Sequence, residues 1–142
     1  AAQGARRSAT GLRSAFVVMN NVHTDLKTVK SEEQWRAQMT AQEYRCLRQQ
    51  GTEAPGTGEY HNFFPKEGYF MCRACEQPLY SSTSKFKDCG WDAFDKCFYT
   101  QEVCHVGVRW DGGGIEIFCN ACNSHLGHVF YGERHTETDE RH

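Results

Sequence analysis

Two pairs of cysteines constrain this chain more than any other feature of its sequence. Cys72 and Cys75 form one Cys-x-x-Cys motif, and Cys119 and Cys122 form a second. The two residues inside each motif allow one tight turn to aim both sulfur atoms at a common point. Two such turns together provide the four thiolates that hold zinc in structural sites. Such a site is closed to water and substrate, so we predict a structural Zn²⁺ and not a catalytic one.

Two other interpretations of the cysteines stay open at this point, namely two disulfides or four buried thiols. A disulfide within a Cys-x-x-Cys motif is possible, although this motif usually has a redox role and seldom occurs twice in one scaffold. The sequence has 8 cysteines and shows no apolar signal-peptide core near its start. This pattern favours a reducing compartment, with four cysteines bound to metal and the others free.

Length, composition and charge define the class of protein. A chain of 142 residues with 39% hydrophobic and 13% aromatic residues is expected to be one globular domain. The formal net charge of −2, without a basic run in the folded part, argues against nucleic acid as the main partner. No stretch approaches the ~20 apolar residues of a membrane span. We therefore expect no membrane partner, and we expect a monomer.

Residues 1–24 differ in composition from the rest of the chain. They contain arginines among serines and alanines, and the first acidic residue is Asp25. This composition is typical of an organelle transit peptide and predicts a mitochondrial or plastid protein. The alternatives are a disordered tail, or residues upstream of a true start at Met19, in an otherwise cytoplasmic protein. The folded domain is predicted over residues 25–142.

The stretch from Ser31 to Gly51 predicts two short helices. Two capping boxes mark their starts, at Ser31–Gln34 and at Thr40–Glu43. Apolar residues three or four positions apart mark one face of each helix: Trp35 with Met39, and Tyr44 with Leu47. Gly51 is a natural C-terminal stop, and Glu53–Gly58 predicts a loop.

From Tyr60 onward the pattern changes to short strands and tight turns. The predicted strands are Tyr69–Met71, Leu79–Tyr80, Val103–Trp110, Ile115–Phe118 and Leu126–Tyr131. Alternation within the third of these places Val106, Val108 and Trp110 on one side. We therefore predict a mainly β (α+β) fold, a small antiparallel sheet or barrel with N-terminal helices to one side and a structural zinc site made of four cysteines.

Two segments contain residues suited to chemistry. In Cys89–Phe94, a lone cysteine beside Gly90 is expected on an accessible loop, and Trp91 offers a flat apolar wall with one N–H donor. In His125–Phe130, two histidines can donate hydrogen bonds or protons near neutral pH. Three positions apart, they would face opposite sides of a regular strand, but Gly127 permits a bend. From the residues alone, an inert thiol, a core tryptophan and core or surface histidines stay open as alternatives.

The chain resembles the B-type methionine sulfoxide reductases. The matching segments follow the family order over about residues 31–142, and they are Gly51–Pro55, Cys72–Cys75, Pro78–Tyr80, Lys85–Phe86, Cys89–Trp91, Cys119–Cys122 and His125–Phe130. The last motif together with the two Cys-x-x-Cys motifs is highly specific. The resemblance implies a β-sheet core with a distal structural zinc. It also implies reduction of the R epimer of methionine sulfoxide in proteins.

The resemblance further implies roles for individual residues. The two Cys-x-x-Cys motifs match the four zinc ligands. Trp91 matches the wall of the pocket for the substrate methyl group, and His125 and His128 match the hydrogen-bonding shell of the active site. Arg141 matches the arginine two positions before the nucleophile, and Cys89 matches the resolving cysteine.

The family chemistry gives each of these residue types a reason. A low-pKa thiol or selenol attacks the electrophilic sulfur of the sulfoxide, becomes a sulfenic-type acid and releases methionine. The resolving thiol, Cys89 here, then forms a disulfide with it, and thioredoxin or a similar dithiol resets the enzyme. Arg141 would favour the anionic nucleophile through its charge. Oxidised proteins and thioredoxin are therefore the expected partners.

The sequence departs from the family pattern at three places. Asp92 replaces the usual proline after Gly-Trp, and Tyr131–Glu133 replaces the usual Asp-Gly-Pro. His142 is the last residue, one position before the family's nucleophile and its final strand. We therefore expect the chain as written to be inactive. Either a UGA codon that encodes selenocysteine or a trimmed sequence would explain this end point.

Two other function classes stay open as alternatives. One is a non-enzymatic zinc-ribbon interaction module, which would need an exposed apolar or charged docking face. The other is a metal- or redox-sensing protein that uses the four remaining cysteines, which are Cys46, Cys89, Cys97 and Cys104. Turnover of the R epimer distinguishes the enzyme from both alternatives.

Overall fold

The computed structural model describes residues 10–14, 27–100 and 103–142, and two helices and eleven short strands lie within these ranges. The helices are α1 (Glu32–Ala37) and α2 (Ala41–Arg48). The strands are β1 (Thr10–Arg13), β2 (Tyr69–Met71), β3 (Pro78–Ser81), β4 (Lys85–Phe86), β5 (Ala93–Phe94), β6 (Cys97–Thr100), β7 (Val103–Cys104), β8 (Val106–Trp110), β9 (Ile115–Cys119), β10 (His125–Tyr131) and β11 (Glu140–Arg141). A 3-10 turn, Ser82–Ser84, joins β3 to β4.

The strands pair only in antiparallel fashion within the described ranges. The largest sheet has the strand order β11–β10–β9–β8, a second has the order β1–β6–β7, and two hairpins pair β2 with β3 and β4 with β5. Buried side chains of the largest sheet, such as Ile117 and Val129, share one hydrophobic cluster with Leu79 and Tyr80 of β3. The predicted mainly β architecture with preceding helices is confirmed.

Both helices begin where the sequence predicted. The side chains of Ser31 and Thr40 each accept a hydrogen bond from the backbone N–H three residues later. The side chains of Gln34 and Glu43 in turn accept hydrogen bonds from the backbone N–H groups of Ser31 and Thr40. A capping box satisfies backbone N–H groups that the first helical turn leaves unpaired. Such short helices are not stable alone, so their packing must hold them. Trp35, only 1% exposed, provides this anchor in the core.

The helical segment is tied directly to both Cys-x-x-Cys turns. Gln38 donates a hydrogen bond to the carbonyl of Ala74 inside the first turn, at 2.8 Å. Arg48 donates to the carbonyl of Cys122 at 2.9 Å, and the backbone N–H of Thr28 donates to the carbonyl of Ala121 at 2.8 Å. These contacts provide hydrogen-bond donors to backbone carbonyl groups that would otherwise be unpaired. The position of the helices therefore depends on the shape of both turns.

The segment predicted as one strand, Val103–Trp110, is two strands in the structure. β7 pairs with β6, and β8 pairs with β9. His105 lies at the change of partner, where its backbone N–H donates to the carbonyl of Phe98. Val106 and Val108 are buried as predicted, but Trp110 is 72% exposed, because β8 extends past the edge of the core.

The predicted tail over residues 1–24 lies mostly outside the described residues. Within it, Thr10–Arg13 forms β1, which pairs with β6 in a register that places Arg13 opposite Cys97. Residues 1–9 and 15–26 are not described, so the transit-peptide hypothesis stays a prediction. Among the described residues, no helix combines the length and apolar character required to cross a bilayer.

A buried polar network anchors β11, which is only two residues long. Burial raises the pKa of Tyr80 well above its ordinary value, so its hydroxyl keeps its proton and donates to Nδ1 of His142 at 3.2 Å. The Nε2 atom of His142 then donates to the Glu140 carboxylate at 2.9 Å. The backbone of His142 also exchanges two hydrogen bonds with Phe94. This network fixes the position of the neighbouring Arg141.

A buried lysine joins the loop that contains Tyr60 and Phe63 to the loop that contains Asp92. The Lys85 ammonium donates to the carbonyls of Tyr60 and Phe63 and lies 2.9 Å from the carboxylate of Asp92. Its side chain is only 1% exposed. A charge this deeply buried is tolerated only when it is paired and hydrogen-bonded. Asp92, the departure from the family's proline, therefore has a partner in this chain.

Lys85→Met is expected to lower the free energy of unfolding by about 3 kcal/mol, because it leaves a carboxylate and two carbonyls without their cation. Urea titration of the purified protein measures this change. Lys87→Met is the matched control, since Lys87 is an exposed lysine two positions away. Equal stability of the two variants would contradict the role assigned to Lys85.

Candidate functional site

The four predicted metal ligands converge on one point. The sulfur atoms of Cys72, Cys75, Cys119 and Cys122 all lie within 4.8 Å of one another. The Cys72–Cys122 and Cys75–Cys119 sulfur pairs are 3.7 and 3.6 Å apart. A tetrahedral site with Zn–S bonds of about 2.3 Å requires sulfur atoms about 3.8 Å apart. The geometry of this cluster therefore fits a tetrahedral metal ion, and these residues could hold one.

The electrostatics of the cluster also favour a bound cation. Sharing of a proton with the Cys122 sulfur raises the pKa of Cys119 far above its ordinary range, and the same contact lowers the pKa of Cys122. Four adjacent sulfurs cannot all ionise without positive charge among them. A metal ion supplies that charge and allows every thiolate to form.

A cavity of about 860 Å³ is lined by four of the other predicted site residues, Trp91, His125, His128 and Arg141, whereas Cys89 lies outside its lining. Most of its surface is apolar, and Phe63, Phe70 and Phe130 are among the aromatic residues that line it. Trp91 forms one wall, and its ring is fixed because Nε1 donates to the carbonyl of Glu53 at 2.9 Å. An apolar cavity with a few oriented polar groups is the usual form of a small-molecule site.

A bulge in β10 brings the two predicted histidines to the same side of the sheet. His125 pairs with Phe118 on β9, and Gly127 pairs with Ile117, so Leu126 is an extra residue without a partner. The bulge reverses the alternation of side chains beyond it. As a result, the rings of His125 and His128 lie 5.8 Å apart, and both line the cavity.

A buried carboxylate holds the first of these histidines. Nδ1 of His125 lies 2.8 Å from Oε1 of Glu116, and Nε of Arg109 donates to Oε2 at 2.6 Å. Burial alone would raise the pKa of Glu116, but the hydrogen bonds from Arg109 and His125 outweigh it and hold that pKa below its usual range. Glu116 therefore remains an anion beside His125.

A second carboxylate holds the other histidine. Nε2 of His128 lies 2.5 Å from Oδ2 of Asp111, in the turn between β8 and β9. Oδ1 of Asp111 accepts hydrogen bonds from the backbone N–H groups of Gly113 and Gly114. These backbone hydrogen bonds, and then the contact with His128, lower the pKa of Asp111 to about 2. Each histidine of the cavity thus has its own carboxylate partner.

The predicted arginine lines the cavity, and the predicted thiol lies near that arginine but outside the cavity lining. Arg141 binds Glu133 through two hydrogen bonds of 2.6 and 2.8 Å and lies 3.4 Å from the carboxylate of Asp88. Glu133 first, and then Asp88 and the Cys89 thiol, raise the pKa of Arg141. Cys89 itself is exposed. Glu133, a departure from the family pattern, is therefore a direct partner of the predicted site arginine.

Sequence reasoning missed two of the residues that shape the site. Glu116 lies between Ile115 and Ile117, and a charged residue inside an apolar strand is a usable sign of a buried ion pair. Asp111 precedes three glycines, a pattern that predicts only a turn. Its contact with His128 follows from strand register, which local sequence does not reveal.

Comparison with known proteins adds independent information. Residues 39–142 match the family model described as the SelR domain. Peptide methionine sulfoxide reductase B5 of Arabidopsis thaliana is 50% identical over 115 residues, which cover 80% of this chain and 81% of that protein. Peptide methionine sulfoxide reductase B4 of the same plant is 49% identical over 121 residues, which cover 82% and 85% of the two chains.

One relative is longer than this chain. Peptide methionine sulfoxide reductase B3, chloroplastic, of Oryza sativa subsp. japonica is 50% identical over 115 residues, which cover 80% of this chain and 49% of the relative. The chain therefore spans about half the length of this relative. The similarity includes both Cys-x-x-Cys turns and the cavity, because the family match begins within the helical segment and continues to residue 142.

Proposed function

Since the chain belongs to the B-type methionine sulfoxide reductases, we propose that its aromatic-lined cavity reduces the R epimer of methionine sulfoxide in oxidised proteins. The observation that carries the proposal is the placement of Trp91, His125, His128 and Arg141 around one cavity. These residues come from three separate segments of the sequence. Together they provide an apolar wall, two proton or hydrogen-bond donors and a cation.

Each group has a function in the proposed reaction. The flat ring of Trp91 contacts the methyl group of the substrate, and the imidazoles of His125 and His128, when protonated, direct hydrogen bonds to the sulfoxide oxygen. Hydrogen bonds aimed at developing charge are a major source of catalysis. Arg141 stabilises the attacking thiolate or selenolate beside it through its positive charge.

The reaction balances in two steps. A thiol or selenol reacts with the sulfoxide, the S–O bond of the substrate breaks, and the oxygen and one proton end on the attacking atom as a sulfenic-type acid. The methionine sulfur gains two electrons and the attacking atom loses two. The Cys89 thiol then displaces this oxygen as water and forms a disulfide, which an external dithiol such as thioredoxin reduces.

We assign the cysteine cluster a structural Zn²⁺. The four sulfurs supply a complete tetrahedral set, and the helical segment contacts both turns through the carbonyls of Ala74 and Cys122. A site with four protein ligands leaves no open position for substrate. When bound, the ion holds the two turns together and carries out no chemistry itself.

Partners and location belong to the same proposal. Thioredoxin or a related dithiol is the proposed reductant because Cys89 is exposed and accessible to a protein thiol. We also propose a monomer. Residues 1–24 have the composition of a transit peptide, and one relative carries the description chloroplastic. A plastid or mitochondrial location is therefore proposed.

An epimer-resolved assay tests the proposed function. Protein expressed from its complete coding sequence is incubated with peptides that contain the R or the S epimer of methionine sulfoxide and with thioredoxin. We expect reduction of the R epimer alone. Absence of any R turnover, with metal bound and the fold intact, would contradict the proposal and favour an interaction module.

Trp91→Ala is expected to lower kcat/KM for the R epimer roughly 10- to 100-fold, because a methyl-sized apolar contact contributes about 1–3 kcal/mol to specificity. Trp110→Ala is the matched control, since Trp110 is 72% exposed and lies outside the cavity lining. Equal kcat/KM for both variants would remove Trp91 from the substrate pocket.

A further inference from the structure

The Glu116–His125 pair lies in the wall between two cavities of different character. His125 lines the large apolar cavity and also a smaller polar cavity of about 370 Å³. Glu116 lines the polar cavity with Gln50, Arg109 and Asn123. His125 is thus the residue of this pair that faces the proposed substrate.

The partners of Glu116 fix the hydrogen-bond direction at His125. Arg109 donates to both carboxylate oxygens, at 2.6 and 3.2 Å, and Gln50 donates to Oε1 at 3.3 Å. An ionised carboxylate can only accept hydrogen bonds. Nδ1 of His125 must therefore carry a hydrogen atom and donate it to Glu116. The remaining ring nitrogen, Nε2, is the atom available to the substrate.

We infer that Glu116 is a positioning residue of the proposed reduction, which holds His125 in its Nδ1–H form and so presents Nε2 to the sulfoxide oxygen. This inference rests on the proposed function. When His125 is an imidazolium, Nε2 donates its proton to the oxygen that leaves the methionine sulfur. The ring then remains neutral with hydrogen on Nδ1, and the electrons come from the attacking thiol or selenol, as described above.

Arg109 keeps this arrangement stable during proton transfer. Its guanidinium forms an ion pair with Glu116 and donates to the side chain of Asn123 at 2.9 Å. Because the carboxylate stays ionised, it does not take the proton that the oxygen requires. Its negative charge instead stabilises the imidazolium, as the buried aspartate does in the serine protease triad.

His128 provides an internal contrast. Asp111 binds Nε2 of His128, whereas Glu116 binds Nδ1 of His125. The two imidazoles therefore present different ring nitrogens to their surroundings. Asp111 is an exposed residue on a turn, while Glu116 is fully buried. Substitution of each carboxylate should alter only the histidine that it contacts.

Nitrogen-resolved NMR of the histidine rings tests the inference on the zinc-loaded 142-residue protein. The spectrum reports which ring nitrogen carries hydrogen in the neutral form. We expect His125 to be the Nδ1–H tautomer in the unsubstituted protein and to gain the Nε2–H tautomer in Glu116→Gln, because an amide can donate as well as accept. Asp111→Asn should alter His128 and leave His125 unchanged.

Two results would overturn the tautomer assignment. One is an Nε2–H tautomer of His125 in the unsubstituted protein, a measurement that stands even if Glu116→Gln does not fold. The other is an unchanged His125 tautomer in a folded Glu116→Gln protein. Neither result depends on sulfoxide chemistry, so both are distinct from failure of the proposed function.

Substrate binding tests the positioning role. A peptide with methionine-R-sulfoxide is titrated into the protein while tryptophan fluorescence is followed, and the S epimer is the control ligand. We expect Kd for the R epimer, measured at weakly acidic pH where imidazoles are protonated, to rise about tenfold in Glu116→Gln, because loss of the carboxylate destabilises the imidazolium that donates to the sulfoxide oxygen. An unchanged Kd with an altered tautomer would overturn the positioning role. Absence of R binding by the unsubstituted protein would instead contradict the proposed function.

Discussion

Replacing Cys119 with serine is expected to unfold the domain and not simply to slow its activity. Zinc binding by four thiolates contributes free energy on the order of 10 kcal/mol in small metal-dependent domains. That amount is comparable with the whole stability of a typical domain, about 5–15 kcal/mol. Loss of one ligand therefore removes most of the free energy that keeps the chain folded.

The contacts around the cysteine cluster explain why loss of the metal should also disturb the helices and the large cavity. Gln38 and Arg48 bind carbonyls inside the two turns, so distortion of the turns also releases α1 and α2. Residues of α2, including Cys46 and Leu47, line the large cavity. Metal loss is thus expected to disturb the cavity as well as the core.

Thermal melting with parallel metal analysis measures the effect of Cys119→Ser. A strong chelator added to the unsubstituted protein should reproduce the same loss of structure, and added Zn²⁺ should restore it. Cys104→Ser is the control, because Cys104 is a buried cysteine, 1% exposed, outside the cluster. A Cys119→Ser protein that melts like the unsubstituted protein would exclude a structural metal.

In protein expressed from the complete coding sequence, Cys89→Ser is expected to abolish thioredoxin-driven turnover while one equivalent of sulfoxide is still reduced. The attacking atom can be oxidised once without Cys89, but the resulting sulfenic-type acid then has no neighbouring thiol to displace its oxygen. Small dithiols reach the oxidised atom directly, so they should restore part of the turnover. The measurement is the amplitude of the first turnover compared with the steady-state rate.

Cys46→Ser is the matched control for this experiment. Cys46 lines the cavity, but burial raises the pKa of its thiol, so it forms a thiolate poorly. Turnover should therefore be unaffected. If Cys89→Ser turns over normally with thioredoxin, the resolving role passes to Cys46, Cys97 or Cys104, and the proposed regeneration step is wrong.

Local sequence predicted those parts of the fold that depend on neighbouring residues. The capping boxes at Ser31 and Thr40 and the strands beside each Cys-x-x-Cys turn depend on interactions within a few positions. The split of Val103–Trp110 into β7 and β8 was not predictable, because it reflects a change of partner strand. The alternation of side chains along a segment is the same whether the whole segment pairs with one strand or its two halves pair with different strands.

In the site, too, local motifs predicted the reactive residues but not the partners that long-range strand pairing gives them. Trp91, His125, His128, Arg141 and Cys89 were candidates because each lies in a recognisable motif. The carboxylate partners of His125 and His128 come from β9 and from the turn before it, and only the register of the large sheet brings them together. Residue type and spacing indicate which groups can carry out chemistry, whereas long-range pairing decides which groups control them.

The bulge at Leu126 makes backbone register a strict requirement in β10. One unpaired residue sets the phase of all residues after it, from His128 to the pairing of Phe130 with Arg141. If a strand of the same sequence paired without the bulge, His128 would turn away from the side of His125 and Val129 would take its place. The bulge and the three-residue spacing of the histidines must therefore be kept or lost together during divergence, because loss of either one alone would place the two rings on opposite sides of the sheet.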